Sequence, residues 1–365
     1  MLRVTLYNLL GLCAVVVALE LIFGTWFSQT HALYQFTKPR DLQVVQANPL
    51  DNGQAKITYT RDENGFRGLN GDVTQIDLIT VGGSTTDQRL LDDSATFQSV
   101  LKTQFKTHGR DVMIANAGVD GQSSFGHIAN FGSWFNQIDG LQARYVLFYV
   151  GINDLLILEE DEAYDNTDAS SIRLRVQLFI REKSIFYQSY RVLKGILKTP
   201  ERSHSLNQMN LAVSEPFATK PLLTESELSS GDKQANLRAL SDRIATLADL
   251  TRKMGAEPIF VTQRSAAWTR RDGAIMGLSE VGPGFFNQLI RRVGPINGID
   301  IYNIERAVAQ TVLSRCQEER AICLDLAAEI DFDVAQDFYD EFHTTASGSA
   351  AIGQYLYQKL VDQGV

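Results

Sequence analysis

The sequence Ile76-Asp77-Leu78-Ile79-Thr80-Val81-Gly82-Gly83-Ser84-Thr85-Thr86-Asp87 joins an apolar run to two glycines and a serine. The run Ile76–Val81 has the length and β-branched content of a buried strand, and the glycines permit a tight turn with close backbone approach. The apolar spacing of Phe97–Leu101 then predicts a helix. A serine hydroxyl at a strand-to-helix turn lies beside backbone N–H groups and is well placed as a nucleophile. The alternative is a loop serine that caps a helix, and this stretch alone does not decide between them.

Four further apolar runs resemble the first one, namely Val112–Ala115, Tyr145–Val150, Pro258–Val261 and Ile299–Ile304. Helix-like stretches lie between the runs, and the clearest of them is Asn236–Met254, where leucines and isoleucines recur at helical spacing. Strands that alternate with helices predict an α/β fold in which helices cover both faces of a five-stranded parallel sheet. Ligands of such sheets bind beyond the carboxyl ends of the strands.

Polar residues follow each apolar run at the place where a ligand would bind. They are Ser84, the glycine-bearing loop Asn116–Ser124, Gly151-Ile152-Asn153-Asp154, Thr262-Gln263-Arg264 and, one helix beyond the fifth run, Asp340-Glu341-Phe342-His343. We expect one cleft to collect them, because the carboxyl ends of parallel strands share an edge of the sheet. Gln263 and Arg264 are candidates for binding substrate, and structural pairing of Arg264 is the equal alternative.

Three of these residues have the chemistry of ester cleavage, which needs a nucleophile, a base and an orienting acid. Ser84 supplies the hydroxyl. His343 suits the base, because the ordinary pKa of histidine lies near neutrality. Asp340 precedes it by three residues and is placed to orient the imidazole, although it is also placed to cap the following helix. The remaining histidines lack a nearby acid in comparable context and are interpreted as surface or core residues: His31, His108, His127 and His204.

Four segments in this order resemble the SGNH (GDSL-like) hydrolase superfamily in its membrane-anchored bacterial form. They are Gly82-Gly83-Ser84, Asn116 to Ser124, Gly151-Ile152-Asn153-Asp154 and Asp340-Glu341-Phe342-His343. The resemblance covers the chain from about Asp77 to its end. It implies a flavodoxin-like α/β/α sandwich and a Ser84–His343–Asp340 triad. It also implies an oxyanion hole formed by the Ser84 N–H, the Gly121 N–H and the Asn153 side-chain amide.

The sequence departs from the family pattern at two places. Gly83 stands where the family usually has an acidic residue before the serine. In the second segment either Gly118 or Gly121 is able to present the backbone donor, and the family pattern favours Gly121. No Gly-x-Ser-x-Gly motif occurs in the sequence, which argues against the α/β-hydrolase fold.

Composition restricts the classes of partner. The 365 residues carry a formal net charge of −9, which argues against nucleic acid as a partner because phosphate binding needs a basic surface. The proposed chemistry needs no metal and no cofactor. The expected substrate is an acyl ester of a glycan or a lipid.

The N-terminal segment is nearly all apolar from Val4 to Phe27 and is long enough to span a bilayer as a helix. We expect residues 1–28 to be a single-pass anchor that contacts the lipid bilayer, and residues 29–70 to be a juxtamembrane linker. Arg3 favours a cytoplasmic amino terminus, which places the hydrolase domain of residues 71–365 outside the cytoplasm. A cleaved signal peptide is the alternative, but no clear small-x-small cleavage site follows the apolar core.

Two further features bear on the domain. Cys316 and Cys323 are seven residues apart, and we favour a disulfide between them over two unlinked thiols. Residues from about 155 to 232 form an insertion too long for an ordinary connection. Its basic and aromatic stretch Arg173–Arg202 is interpreted either as a lid that touches a membrane or an anionic glycan, or as a helical pair packed on the sheet.

The main hypothesis is an extracytoplasmic, membrane-anchored serine esterase that hydrolyses acyl or O-acetyl esters. A second hypothesis keeps the acyl-enzyme but passes the acyl group to a polysaccharide hydroxyl, which makes the protein an O-acyltransferase. A third hypothesis is a catalytically silent module that binds polysaccharide. A complete set of catalytic residues argues against the third one.

Overall fold

The computed structural model describes residues 2–24, 26–27, 41–51, 53–68, 71–155, 165, 172, 176, 179–180, 183–187, 189–190, 217–224, 231–281, 286, 290–291 and 294–365. The chain divides into two compact units. One comprises Met1–Pro39 and Thr167–Ser205, and the other comprises Arg40–Asn166 and Leu206–Val365. Most of the predicted insertion, including most of Arg173–Arg202, lies outside the described residues, so neither interpretation of it is tested.

The smaller unit contains helix α1 (Leu2–Phe23). The Glu20 carboxylate accepts hydrogen bonds from the Trp26 indole (2.9 Å), the Ser184 hydroxyl (2.5 Å) and the Ile185 N–H (3.1 Å). These bonds satisfy a carboxylate that stands in an otherwise apolar stretch.

No helix in the described part of the chain has the length and apolarity needed to cross a membrane, so the predicted transmembrane anchor at residues 1–28 is not supported.

The larger unit begins with an antiparallel hairpin of strands β1 (Leu42–Ala47) and β2 (Lys56–Arg61), in which Val44 lies opposite Tyr59. The sequence analysis assigned residues 29–70 to a linker. That assignment is wrong for residues 41–68, because the hairpin buries Ile57, Tyr59 and Arg61. Alternating burial along β2 shows that one face of the hairpin packs on the domain.

The other elements of this unit alternate between strands and helices. In chain order they are β3 (Ile76–Gly82), α2 (Ser84–Asp87), α3 (Phe97–Thr107), β4 (Ile114–Gly118), α4 (Ser124–Ser133), β5 (Ala143–Val150), α5 (Ile152–Leu155), β6 (Phe217–Ala218), α6 (Gly231–Lys253), β7 (Glu257–Thr262), β8 (Trp268–Arg271), β9 (Ala274–Leu278), α7 (Gly298–Glu318), β10 (Ile322–Leu324), α8 (Leu326–Glu329), α9 (Val334–Asp337) and α10 (Ala346–Asp362).

The central sheet has five parallel strands in the order β10-β7-β5-β3-β4, as the sequence analysis predicted for fold class and strand number. Counted along the chain as sheet strands one to five, this is the order 2-1-3-4-5 of flavodoxin-like folds. The order reverses beside β3, so the carboxyl end of β3 lies at the switch point where such folds bind ligands. Ser84 follows that strand end directly.

The predicted fifth strand at Ile299–Ile304 is wrong, because this segment lies inside helix α7. Asn297 caps the helix by accepting from the N–H groups of Ile299 and Asp300, and the Asp300 carboxylate accepts from the Asn297 N–H in return. The buried residues of α7 recur at helical spacing up to Cys316. A short apolar run does not by itself distinguish a buried strand from a helix start. The fifth strand is Ile322–Leu324.

Helices pack on both faces of the sheet. On one face, Phe97 and Leu101 of α3 and Leu356 of α10 share a buried cluster with Leu78 and Leu147 of the sheet. On the other face, the ring of Phe148 stacks on that of Phe260 at 5.1 Å between centroids. Leu147 and Phe148 are adjacent in β5, so their side chains point to opposite faces of the sheet. Both helical layers therefore pack on side chains of this one strand.

Cys316 and Cys323 form a disulfide, which confirms the pairing favoured from the sequence. The bond joins the last turn of α7 to β10, the short edge strand of the sheet. It therefore links the three residues of this strand covalently to a helix of 21 residues.

We predict that replacing both Cys316 and Cys323 by serine lowers the free energy of unfolding by about 2–3 kcal/mol, because the unfolded chain regains the entropy of a small closed loop. Urea unfolding of the two proteins measures the difference. The matched control is Cys13→Ser, since Cys13 is an exposed free thiol. A loss below about 0.5 kcal/mol for the double serine variant would contradict the prediction.

Candidate active site

Ser84 is the first residue of α2 and follows two glycines that the structure leaves no room to replace. A Cβ at Gly82 would lie 2.8 Å from the Tyr149 carbonyl oxygen, and a Cβ at Gly83 would overlap the Asn153 side-chain amide. An acidic side chain at position 83, where the family pattern usually has one, would therefore displace the Asn153 amide in this chain. The close approach brings Asn153 beside the serine.

Ser84, His343 and Asp340 form a continuous row of hydrogen-bonded side chains. The Nε2 of His343 lies 2.7 Å from Ser84 Oγ, although the two residues are 259 positions apart in the chain. The Nδ1 of His343 lies 2.7 Å and 2.9 Å from the two oxygens of the Asp340 carboxylate. All three distances fall in the range of direct hydrogen bonds. With a proton on Nδ1, Nε2 is the nitrogen that accepts from the serine hydroxyl.

The loop that carries His343 is fixed by its own hydrogen bonds and by ring stacking. Asp340 Oδ1 accepts from the N–H groups of Phe342 (2.9 Å) and His343 (2.8 Å). The rings of Tyr339 and His343 lie nearly parallel with centroids 5.5 Å apart. The alternative role foreseen for Asp340, capping the next helix, belongs instead to Thr345, which caps α10.

The charges around the histidine favour a basic imidazole. Burial alone would lower the pKa of His343, but its hydrogen bond to Asp340 and the negative charges of Asp340, Asp120 and Glu341 raise that pKa above its ordinary value. Burial would raise the pKa of Asp340, but the hydrogen bond and charge of His343 and two backbone N–H groups keep it below its usual range. The ionised Asp340 carboxylate therefore makes the His343 imidazole more basic, which suits it to accept the proton of the serine hydroxyl.

Of the three predicted oxyanion donors, Ser84 and Asn153 lie in the short helices α2 and α5, and Gly121 lies in the loop after β4. Ser84 begins a helical turn, and the first N–H groups of a helix have no acceptor within it. The Asn153 amide donates to the Gln122 carbonyl oxygen (2.6 Å), and its second hydrogen is a further donor. Gly121 has a φ of 74°, which glycine adopts without strain.

The alternative donor, Gly118, is already used in holding the fold. Its N–H donates to the Asn116 side-chain oxygen at 2.8 Å, and its carbonyl oxygen accepts from Arg61 at 2.7 Å. The Gly118 N–H is therefore already bonded, and Gly121 as the oxyanion donor stays a prediction.

Carboxylates anchor the start of helix α4 beside the predicted oxyanion donors. Asp154 accepts from the hydroxyl of Ser124 at 2.5 Å and pairs with Arg243 at 3.6 Å. Asp165 accepts from the N–H groups of Ser123 (2.7 Å) and Gly126 (3.0 Å). Negative charge at a helix N-terminus is favourable, so both carboxylates stabilise the loop that carries Gly121.

Gln263 and Arg264, predicted as substrate-binding candidates, are both buried. Gln263 joins two loops of the site, because its side-chain oxygen accepts from the Ile152 N–H (2.9 Å) and its amide donates to the Thr85 hydroxyl (2.7 Å). Arg264 donates to the carbonyl oxygens of Ser265 and Trp268, and its guanidinium lies 3.7 Å from the centre of the Trp268 ring. These contacts favour the structural alternative for Arg264, and substrate binding by either residue stays a prediction.

Sequence reasoning missed two buried arginines that hold the helical turn Ser84–Asp87 and the residues after it. Arg61 donates to the Asp87 carboxylate at 2.7 Å, and the Tyr59 hydroxyl donates to the same oxygen at 3.0 Å. Arg67 donates to the backbone carbonyl oxygens of Asp87, Gln88 and Leu91. Both arginines come from the segment assigned to a linker, and no sequence pattern there indicates that they are buried.

Among the described residues, no group of three or more histidine, cysteine, aspartate or glutamate side chains is arranged to hold a metal ion.

A scan against protein-family models and a search of curated proteins found no match. Solved structures similar to this chain include the psychrotrophic esterase EstA from Pseudoalteromonas sp., with a TM-score of 0.41 and 9% identity over 79% of this chain and 97% of that one. The acetyl xylan esterase AlAXEase has a TM-score of 0.38 and 10% identity over 80% and 100%. A lipolytic protein of the G-D-S-L family from Veillonella parvula has a TM-score of 0.39 and 11% identity over 78% and 97%. At these scores the activity of this chain has to be inferred from its own site.

We predict that Arg61→Met lowers the free energy of unfolding by about 3–5 kcal/mol, because it leaves the buried Asp87 carboxylate without its cation. Urea unfolding measures the loss, and the double variant Arg61→Met with Asp87→Leu should recover most of it. Arg144→Met is the control, since the Arg144–Asp77 pair is largely exposed and is expected to contribute less than about 1 kcal/mol. Equal effects of the two single variants would contradict the assigned role of Arg61.

We predict that kcat/KM for an acyl ester falls as the pH drops through an apparent pKa above 6.5, the ordinary value for histidine, because protonated His343 is unable to act as a base. Asp340→Asn should lower that apparent pKa and reduce kcat by about 10⁴-fold, the size of effect seen when a triad acid becomes an amide. A pH–rate profile of both proteins provides the test. An unchanged apparent pKa in the variant would show that Asp340 does not support the imidazole.

Proposed function

We propose that this protein is a serine esterase of the SGNH type that hydrolyses acyl esters. The observation that carries the proposal is the hydrogen-bonded row Ser84–His343–Asp340 beyond the carboxyl end of β3. A serine hydroxyl within 2.7 Å of an imidazole that is itself bound to a carboxylate is the arrangement of an activated nucleophile.

The mechanism follows from the positions of these atoms. Ser84 Oγ attacks the ester carbonyl carbon while its proton passes to His343 Nε2. The carbonyl oxygen becomes an oxyanion, for which we propose the Ser84 N–H, the Gly121 N–H and the Asn153 amide as donors. As the carbon–oxygen bond to the alcohol breaks, His343 returns the proton to the leaving alcohol. Water then attacks the acyl-enzyme with His343 as base, which releases the acid and restores Ser84.

Hydrolysis, rather than transfer of the acyl group to a glycan, is the proposed outcome. The side chains of His343 and Asp340 retain 26% and 24% of their exposure, so solvent reaches the base in the open site. Water is then the acceptor of the acyl group that is present at the highest concentration.

Carbohydrate O-acetyl groups and lipid esters are the substrate classes we propose, with the former ahead. The carboxylates of Asp120 and Glu341 act on His343 electrostatically, so the surroundings of the base are polar. Polar surroundings suit a hydroxyl-rich alcohol better than a long hydrocarbon chain.

We also propose that the protein works outside the cytoplasm. The Cys316–Cys323 disulfide supports this location, because such bonds persist in oxidising compartments.

We predict that Ser84→Ala removes hydrolysis of p-nitrophenyl acetate down to the uncatalysed background, and that Asn153→Ala lowers kcat by about 10²–10³-fold through loss of an oxyanion donor. A panel of p-nitrophenyl esters from acetyl to long-chain acyl groups measures both effects and the chain-length preference. Thr107→Ala is the matched control, since its exposed hydroxyl bonds only to the Thr103 carbonyl oxygen of its own helix in the described structure. Parent-rate hydrolysis by Ser84→Ala would dispose of the proposed function.

A further inference from the structure

Gln88 directly follows the helical turn α2 and is the residue at which the backbone leaves that turn. Its φ of 51° and ψ of 45° lie in the left-handed region, which glycine adopts without strain and glutamine does not. The Gln88 N–H donates to the Ser84 carbonyl oxygen at 2.7 Å, so this residue closes the turn that carries the nucleophile. A residue persists in such a conformation only where the surrounding structure fixes it.

The side chain of Gln88 supplies the contacts that fix it. The residue is 4% exposed, and its Oε1 accepts from the Phe97 N–H at 2.9 Å. Because a backbone N–H only donates, the orientation of the amide is determined, and Nε2 faces the two remaining partners. These partners are the hydroxyl oxygens of Thr344, at 3.2 Å, and of Ser349. The two hydrogens of Nε2 therefore both have an acceptor.

One of the two hydroxyl partners belongs to the loop of the base. Thr344 is the residue after His343, and it pairs with Phe338 in an isolated β-bridge across that loop. The Gln88 amide thus joins the turn of the nucleophile to the neighbour of the base, 256 positions further along the chain. Ser349 lies instead in helix α10, so the second bond fastens the same amide to the body of the domain.

We propose that Gln88 is a positioning residue that sets the separation of Ser84 Oγ and His343 Nε2 by bridging the turn of the one to the loop of the other. It acts through these two segments rather than on the substrate. A displacement of about 1 Å in either segment would break the direct hydrogen bond and is enough to slow a reaction about 10²-fold. The effect on turnover rests on the proposed esterase function, whereas the effect on the separation of the two atoms does not.

The test is Gln88→Met, which keeps the length of the side chain and removes its hydrogen bonds. We expect kcat for p-nitrophenyl acetate to fall about 10²-fold while KM stays within about twofold of the parent value. The apparent pKa of the pH–rate profile should not change, because the bonds between His343 and Asp340 remain. Crystal structures of both proteins should show the distance from Ser84 Oγ to His343 Nε2 lengthened beyond about 3.5 Å in the variant.

Two further variants each remove one partner of the Gln88 amide, and they separate positioning from stability. Thr344→Val cuts the bond to the loop of the base and should lower kcat at least about tenfold. Ser349→Ala is the matched control, since it removes a bond of the same buried amide but on the side of α10; it should leave kcat within about threefold of the parent. Urea unfolding shows that each variant is folded under the assay conditions, and this pair tests the bridge independently of Gln88→Met.

An unchanged distance between Ser84 Oγ and His343 Nε2 in Gln88→Met would overturn the inference. In a parent protein that hydrolyses the ester, a parent-like kcat in Gln88→Met, or equal losses of kcat in Thr344→Val and Ser349→Ala, would overturn it as well. A lengthened distance in a protein whose parent form shows no hydrolysis that depends on Ser84 would contradict the proposed function and support the positioning role.

Discussion

The 2.7 Å hydrogen bond between Ser84 Oγ and His343 Nε2 joins the first strand of the central sheet to a loop near the end of the chain. The bond depends on two independently fixed loops. One is the turn after β3, and the other is the Asp340–His343 loop, whose backbone N–H groups bind the Asp340 carboxylate. These hydrogen bonds place Ser84 Oγ and His343 Nε2 within bonding distance before any substrate binds, which is the preorganisation that the proposed reaction needs.

Buried polar side chains from three parts of the chain hold the helical turn that carries Ser84. Arg61 and Arg67 of the N-terminal segment bind the side chain and carbonyl oxygens that follow Ser84. Gln98 and Asn116 hold the Thr86 carbonyl oxygen, and Gln263 donates to the Thr85 hydroxyl. Buried polar networks of this kind are costly unless every polar atom has a hydrogen-bond partner. A network whose atoms all have partners fixes a single conformation.

Local pattern was sufficient to predict the fold class, four of the five strands of the central sheet and the residues that form the hydrogen-bonded row. Each residue of the site follows a strand end or belongs to a short motif, so their meeting at one edge of the sheet follows from parallel topology. They are Gly82, Gly83, Asn153, Asp340 and His343. The disulfide was also predicted correctly, since Cys316 and Cys323 are close in the chain.

The fifth strand was missed because three residues, Ile322–Leu324, give too short a pattern, while the apolar start of α7 has the pattern of a strand. Arg61 and Arg67 were missed because the burial of each charge is set by a carboxylate distant in the chain, Asp87 for Arg61 and Asp93 for Arg67. The N-terminal anchor was inferred from the length and apolarity of Val4 to Phe27, and the described residues do not support it.

The central claim is that Ser84 is a nucleophile activated by His343. The most direct measurement is the intact mass of the folded protein after incubation with a fluorophosphonate, followed by peptide mapping. We expect one covalent adduct, located on Ser84, with labelling that slows sharply in His343→Ala. A folded protein that acquires no adduct, or one whose adduct lies on another residue, would contradict it.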